Sequence, residues 1–456
     1  MPRFHDTIAA LATPTGTSAI ALLRTSGPGA VKLAQEIFGE NPPPRLSRHS
    51  DYHDHGGGLV DDVLFTFFAG PNSYTGEDSL EISCHGNPFI AQKILEDLIA
   101  RGCRLAEPGE FTKRAFLNGR MDLSQAEAVM DLISARSERA LAAANRQLRG
   151  SLGKHMGALT DRLLNVVARV EAYIDFPEED LPPEDQSLLD RELAGIAADT
   201  SRLLATSHYG QLLRDGIKTV IVGPPNVGKS SLLNRLVGRE RALVSPEPGT
   251  TRDFIEERIL VGSHCLRIID TAGLNPRPAP LEKLGMNKTL ECIAEADLLL
   301  VVLDGSDPTA VIPAALVSED LTEKCIIIFN KNDLYDKRLA PPIASSDVSG
   351  KITTLDISAQ TGAGLSELID VIARSADRFK GDFDHEFIAI NTRHSGALEN
   401  ALSQLKDASE KLAKGEAFEL LASDLRGALA YFGEIVGKFD NEAMLDRLFA
   451  TFCIGK

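Results

Sequence analysis

The sequence predicts a multidomain chain, α/β plus all-α, in which an α/β domain interrupts a helical domain and a smaller α/β unit precedes both. Three observations predict this. Residues 217–235 read as a β-branched strand, a glycine-bounded loop and an apolar-periodic helix beginning at Ser230. Helical periodicity fills 121–215 and returns after 380, on either side of that segment. Residues 1–120 mix short β-like runs with helical spacing. The length of 456 residues suits about three domains at roughly 150 residues each. The predicted boundaries are 1–120, 121–215, 216–379 and 380–456, with the third segment inserted through an exposed connection of one helical domain.

In residues 1–120, the apolar runs at 7–11, 18–23 and 63–68 are bounded by Gly, Pro or Thr and predict strands. Residues 30–38 and 89–101 carry helical spacing, the second through Ile90, Ile94, Leu95, Leu98 and Ile99. The Pro-, His- and Gly-rich stretch 41–58 predicts a mobile loop. Its His53 and His55, beside Asp51 and Asp54, lack a fixed ligand geometry and read as solvated side chains. Three polar clusters stand out: Arg24 in LLRTSGPG, Glu81 in SYTGEDSLEISCHG and Arg120 in FLNGRMDLSQAEA. Their residues alone fit surface ion pairs as well as a binding site.

The first helical block opens with Asp122 or Ser124 as a cap, in a Ser124-x-x-Glu127 capping-box arrangement. Leu159, Leu163, Val167, Val170 and Ile174 then mark one helix face, and prolines at 177, 182 and 183 break it. Past residue 386 the faces return as Leu398, Leu402 and Leu405, as Leu421, Leu425, Leu429 and Phe432, and as Leu445, Leu448 and Phe452. Between 136 and 169, Arg136, Arg139, Arg146, Arg149, Lys154, Arg162 and Arg169 face only Glu138 and Asp161. This stretch is a candidate RNA face, and equally a solvated helix surface.

The central domain carries the chemistry. Gly223, Gly228, Lys229 and Ser230 meet the spacing G-x-x-x-x-G-K-[ST] of a phosphate loop. Glycines let backbone N–H groups of Asn226, Val227, Gly228, Lys229, Ser230 and Ser231 curl around phosphate, and the helix N-terminus adds positive dipole. Lys229 is placed to reach the β and γ phosphates, and the Ser230 hydroxyl to ligate Mg²⁺. In SPEPGTTRD, residues Ser245, Pro246, Glu247, Pro248, Gly249, Thr250 and Thr251 form a switch, and either threonine can complete the Mg²⁺ shell. The strand LRIID delivers Asp270, Thr271, Ala272 and Gly273, with Asp270 toward Mg²⁺ and the Gly273 N–H toward the γ-phosphate. In NKND, Asp333 can accept both guanine N1–H and N2–H₂ while Asn330 braces the loop with Lys331 beside it. The SAQ loop, Ser358, Ala359 and Gln360, offers backbone to guanine O6. Together these predict a guanine nucleotide. Leu274 follows D-x-x-G where many small GTPases place a water-orienting glutamine, so the water must be held from elsewhere. Glu282 is the acidic residue of the following segment. Asn226 either shapes the loop or binds a monovalent cation that supplies the charge of an absent arginine finger.

A net charge of −17 confines any nucleic-acid contact to a local basic face. Six cysteines, at 84, 103, 265, 292, 325 and 453, contain no C-x-x-C pair and suit a reducing compartment. The first residues match neither a secretory nor a transit pattern, and no apolar run approaches about 20 residues. The expectation is a cytoplasmic protein without membrane attachment.

Over its full length the sequence resembles the tRNA modification GTPases of the MnmE (TrmE) family. The resemblance rests on DTIAALATP with LLRTSGP, PNSYTGEDSLEISCHG, LNGRMDLSQAEA, GPPNVGKSS, PGTTRD, DTAGL and the terminal FCIGK. It implies an N-terminal folate-binding, GcvT-like α/β domain that dimerises, a helical domain, and a Ras-like P-loop G domain inserted into it. It implies a potassium-dependent GTP hydrolase that acts on tRNA with the FAD- and NADH-using flavoprotein MnmG, in an expected heterotetramer. Together they would install an aminomethyl-type (carboxymethylaminomethyl) group at C5 of the wobble uridine. The one-carbon unit would come from 5-formyl- or 5,10-methylene-tetrahydrofolate. Folate would contact Arg24, Glu81, Arg120 and Lys456; K⁺ would lie on Asn226, Ser245, Glu247 and Thr250; Mg²⁺ would fall to Ser230 and Thr251. Glu282 would orient water, and Cys453 would serve the modification step. Departures from the family pattern are TGTSA at 15–19, HGNP at 85–88, and Pro246 and Pro248 in the switch. The alternative is a GTP-switched RNA or ribosome assembly factor, in which neither folate nor Cys453 has a part.

Overall fold

The structure, a computed structural model, describes residues 5–39, 42–175, 183–240, 256–270, 291–307, 324–335, 353–379, 387–437 and 442–455. Two compact units account for the chain. One gathers residues 1–130, 147–197 and 397–456, the other residues 131–146 and 198–396.

The first unit begins with β1 (Ile8–Leu11), β2 (Ile20–Ser26), α1 (Ala30–Phe38), β3 (Ser47–His53), β4 (Leu59–Phe68), β5 (Ser79–His85), α2 (Pro88–Ala100), β6 (Arg104–Leu105) and α3 (Glu110–Leu117). The sheet order is β3-β4-β5-β2-β1-β6, antiparallel except where β6 joins β1. Ala30, Leu33, Ala34 and Ile37 of α1 and Ala91, Ile94 and Leu98 of α2 cover it, closing a core with Leu23, Phe65, Leu80 and Ile82. The expected loop at 41–58 needs correction, because β3 runs through it. Along β3 polar residues alternate out to solvent while Tyr52 is fully buried. An edge strand held by its ladder to β4 needs few apolar residues, and β3 has Tyr52 alone among seven, so composition concealed it. Among the described residues no group of three or more His, Cys, Asp or Glu side chains is arranged to hold a metal ion.

Next come α4 (Leu123–Ser134), α5 (Glu138–Leu148), α6 (Ser151–Asp175), α7 (Pro183–Leu204) and α8 (Ser207–Asp215). The cap of α4 is Asp122, whose Oδ1 accepts from Gln125 N at 2.8 Å while Gln125 Oε1 accepts from Asp122 N at 2.9 Å. The reciprocal box is therefore Asp122-x-x-Gln125 rather than Ser124-x-x-Glu127. Ser124 instead donates to Asp122, and both Ser124 and Glu127 are buried.

The second sheet contains β7 (Ile217–Val222), β8 (Glu256–Val261), β9 (His264–Asp270), β10 (Leu298–Asp304), β11 (Cys325–Asn330) and β12 (Thr353–Asp356), in the order β12-β11-β10-β7-β9-β8. Only β8 is antiparallel. The central strands β10 and β11 are continuous apolar runs because both faces of the sheet are covered there. One face buries α9 (Lys229–Glu240) and α10 (Leu365–Arg378), and takes in Tyr209 and Leu212 of α8.

The chain returns through α11 (Thr392–Lys414), α12 (Phe418–Val436) and α13 (Glu442–Phe449). In the first unit α12 lies along α6, with Tyr173 stacked on Phe418 at 5.5 Å and Arg426 donating to Glu171 at 2.8 Å. Leu159, Leu163 and Val170 of α6 are buried, as are Leu421, Leu425 and Phe432 of α12, so the periodic faces meet their expected fate. Among the described residues no helix is long and apolar enough to cross a membrane.

Candidate functional site

Four parallel strands of the second sheet, β9, β7, β10 and β11, run side by side and end on one edge, the place where open α/β sheets bind ligands. There β7 leads into the phosphate loop, Asp270 closes β9 opposite Ile221, and Asp304 closes β10 opposite Asn330. The loop demands its glycines. Gly223 has φ +152° and Gly228 φ +97°, and a Cβ on the first would collide with the Val302 carbonyl, on the second with the Asn330 amide. Asn226 takes the left-handed conformation at φ +63°, which short amide side chains tolerate. Lys229 opens α9, and its Nζ donates to the Gly223 and Pro224 carbonyls at 2.9 and 2.7 Å. The ammonium thus lies over the loop that would hold phosphate.

Asn330, nearly fully buried, uses both ends of its amide. Nδ2 donates to the Val227 carbonyl at 2.7 Å, and Oδ1 accepts from Ala359 N at 2.8 Å. One side chain thereby ties the phosphate loop, NKND and SAQ together. Lys331, at φ +68°, donates to Asp304 Oδ2 at 2.6 Å. Burial would raise the Asp304 pKa, but Lys331 and Ser306 outweigh it and hold the carboxyl below its usual range. Tyr335 donates to Asp356 at 2.7 Å beneath the loop; burial and that carboxylate push the phenol up.

A cavity of about 580 Å³ opens among Gly228, Ser231, Asn234 and Arg235 of the phosphate element, Asn330, Lys331, Asp333 and Leu334, and Ser358, Ala359 and Gln360. The volume suits a nucleotide. The structure therefore brings together Gly228, Ser231, Asn330, Lys331, Asp333, Ser358, Ala359 and Gln360 around one space, with Asn226, Val227, Lys229 and Ser230 on the adjoining loop. Ser245, Pro246, Glu247, Pro248, Gly249, Thr250, Thr251, Thr271, Ala272, Gly273, Glu282 and Lys456 lie outside the described residues. Sequence reasoning passed over Arg235 and Asp304. Asp304 had a signal, the acidic end of an apolar strand beside NKND; Arg235 had none.

The first unit holds a second polar centre. Arg24 on β2 stands opposite Glu81 on β5, and its Nε and Nη2 donate to Glu81 Oε1 at 2.8 and 2.7 Å. The guanidinium also lies 5.5 Å from the Tyr74 ring and 5.8 Å from that of Phe111. Tyr74 belongs to the quoted SYTGED stretch and Phe111 to α3, and neither carries a signal of this role in the sequence. Arg120 passes beside Gly76 of the same loop. The chain's end reaches this sheet: the Cys453 carbonyl accepts from Gly109 N at 3.3 Å, and Gly455 (φ +92°) lies so close to Leu11 and Ala12 that a Cβ would not fit. An aromatic-backed arginine, a carboxylate and a second arginine offer donors for carboxylates and an acceptor for ring N–H groups, chemistry that a folate's glutamate tail and pterin ring would match.

Sheet order, phosphate loop and cavity define the class, a Ras-like P-loop domain inserted between helical segments. A profile of the TrmE N-terminus matches residues 7–120, and one of the MnmE helical domain matches residues 123–453. The tRNA modification GTPase MnmE of Opitutus terrae is 58% identical over 100% of both chains. Those of Akkermansia muciniphila and Symbiobacterium thermophilum are 43% and 41% identical, each over 99% of this chain. The chain belongs to the MnmE family.

Proposed function

We propose that this chain is a tRNA modification GTPase whose hydrolysis depends on Mg²⁺ and K⁺. In this reading it works as a homodimer with the flavoprotein MnmG, which brings FAD and NADH, to build an aminomethyl-type group at C5 of the wobble uridine. The observation that carries the nucleotide part is the convergence of the phosphate loop, NKND and SAQ on one cavity, braced by Asn330.

Lys229 neutralises phosphate charge, Asp333 accepts from the guanine edge, and Glu282 orients the attacking water that Leu274 cannot hold. Ser230 with Thr251 would hold Mg²⁺, and Asn226 with Ser245, Glu247 and Thr250 would hold K⁺, supplying charge stabilisation where phosphate charge develops. Asn226 is exposed on the loop in a left-handed backbone conformation, which leaves its amide oxygen free of the domain core for that part. In the first unit Arg24, Glu81, Arg120 and Lys456 would bind the tetrahydrofolate, whose role is to supply the one-carbon unit. Cys453 lies exposed near the end of a chain segment that returns to the same sheet. The proposed domains are those at 1–120, 121–215, 216–379 and 380–456.

The test is GTP hydrolysis by the full chain in potassium against sodium, for wild type and Glu282→Ala. Potassium should stimulate the wild type strongly, and the variant should bind nucleotide yet lose that rate. Equal wild-type rates in the two salts would remove the cation from the mechanism.

A further inference from the structure

We infer that Arg235 is a specificity-positioning residue, which fixes the loop that reads guanine O6 by clamping it to the phosphate-binding helix. The inference deepens the guanine-nucleotide reading and rests on it. Arg235 stands six residues into α9, about 9 Å along the axis from Lys229. Its Nε donates to the Ala359 carbonyl at 3.1 Å and its Nη2 to the Gln360 carbonyl at 2.5 Å. A guanidinium offers these donors in one rigid fork, which is why two successive carbonyls can be held by one side chain.

The consequence follows from peptide geometry. In a trans peptide the C=O and the next N–H point in opposite directions. Drawing the Ala359 carbonyl onto Arg235 therefore turns the Gln360 N–H to the other side. The Ala359 N–H already donates to Asn330 Oδ1, and the Thr361 N–H to Ser358 Oγ at 3.0 Å. With the Ser358 N–H donating to the Ala363 carbonyl, the Gln360 N–H is the donor of this loop left to face O6, and Arg235 aims it. Asn330 ties the same loop to Val227 of the phosphate loop, so the base reader is fastened at two points to the element that holds phosphate. Arg235 is itself exposed at the cavity wall, so its replacement leaves the core of the domain alone.

The experiment measures binding of three diphosphates to the full chain. GDP carries every guanine contact. 6-Thio-GDP keeps N1–H and N2–H₂ but replaces O6 with a weakly accepting sulfur. IDP keeps O6 but lacks the amino group that Asp333 reads. Wild type should prefer GDP over both analogues. Arg235→Ala should lose about tenfold or more in GDP affinity and bring the GDP to 6-thio-GDP ratio toward one, with the GDP to IDP ratio unchanged. Arg235→Lys, with one donor group in place of a fork, should recover part of the 6-thio discrimination. A wild-type GDP to 6-thio-GDP ratio in Arg235→Ala overturns the proposal, as does equal loss of both ratios. A wild type that binds ADP as well as GDP would instead overturn the guanine reading beneath it.

Discussion

Asp333 lines the cavity from the loop that Asn330 braces, which separates reading from bracing. A carboxylate can only accept, so in the proposed reading its partner presents two donors on one edge, as guanine does at N1 and N2. Exchange for an amide reverses one of those positions. Asp333→Asn should weaken GDP by about 3 kcal/mol, two charge-assisted bonds at about 1.5 kcal/mol each, and strengthen XDP, whose O2 accepts where the amide now donates. Titration of both diphosphates into the variant checks this; a variant that still prefers GDP would sink the assignment. Residues of this kind were legible, because guanine chemistry needs those types at those spacings along a short loop. Arg235, Tyr74 and Phe111 were not. Arg235 meets its loop 124 residues away, and the two rings meet Arg24 only through the fold.

Secondary structure was legible where burial is one-sided and long. The stretches 30–38 and 89–101 became α1 and α2, and the face from Leu159 to Val170 packs in the core. It was illegible in β3, whose strand character comes from its partner β4, and at the α4 cap, where an Asp122–Gln125 box and a candidate Ser124–Glu127 box overlap within six residues. The joint between these elements is ionic. Arg114 of α3 is fully buried and donates to Asp6 at 2.8 Å and Glu110 at 2.9 Å, with Glu77 at 3.3 Å, while Arg104 of β6 reaches Asp6 and Glu110 from outside. Burial would raise the pKa of Asp6 and of Glu110, but the arginines outweigh it and hold both below their ordinary values of 3.8 and 4.5. The unfolded chain therefore binds protons more readily than the folded one. The stability these carboxylates add is complete above about pH 4.5 and is lost as the pH falls through the lowered folded values. Glu110→Gln leaves Arg114 buried with one carboxylate fewer, a loss of about 3 kcal/mol. Hydrogen exchange across 104–117 should accelerate in the variant at neutral pH and respond less to acid than wild type. Equal acid sensitivity in both would place the titrating group elsewhere.

At the scale of the whole chain, the return of helical periodicity after residue 386 is legible in the amino-acid sequence as the sign of an inserted domain. The partition of the helices is not: residues 131–146 group with the nucleotide sheet, and there Arg139 donates to Asp377 at 2.5 Å and to Tyr209 at 3.3 Å, partners 238 and 70 residues away. The most distant return is the C-terminus. Phe449 and Phe452 pack with Leu123, and the chain then runs on to touch Gly109 and Leu11, leaving Cys453 exposed while Cys84, Cys103, Cys265 and Cys325 are buried. Burial pushes the thiol of Cys103 up to about 12 and those of Cys84 and Cys325 up to about 11, so none of these supplies thiolate at neutral pH. A maleimide added to the native protein at about pH 8 should accordingly label Cys453 first, and Cys453→Ser should remove that fast phase while leaving nucleotide binding intact. If folate lies between Arg24 and the tail, 5-formyltetrahydrofolate should slow the labelling in wild type and fail to do so in Arg24→Ala. A fast phase that survives Cys453→Ser would mean another thiol is the accessible one, and labelling indifferent to folate would detach the cysteine from the Arg24 centre.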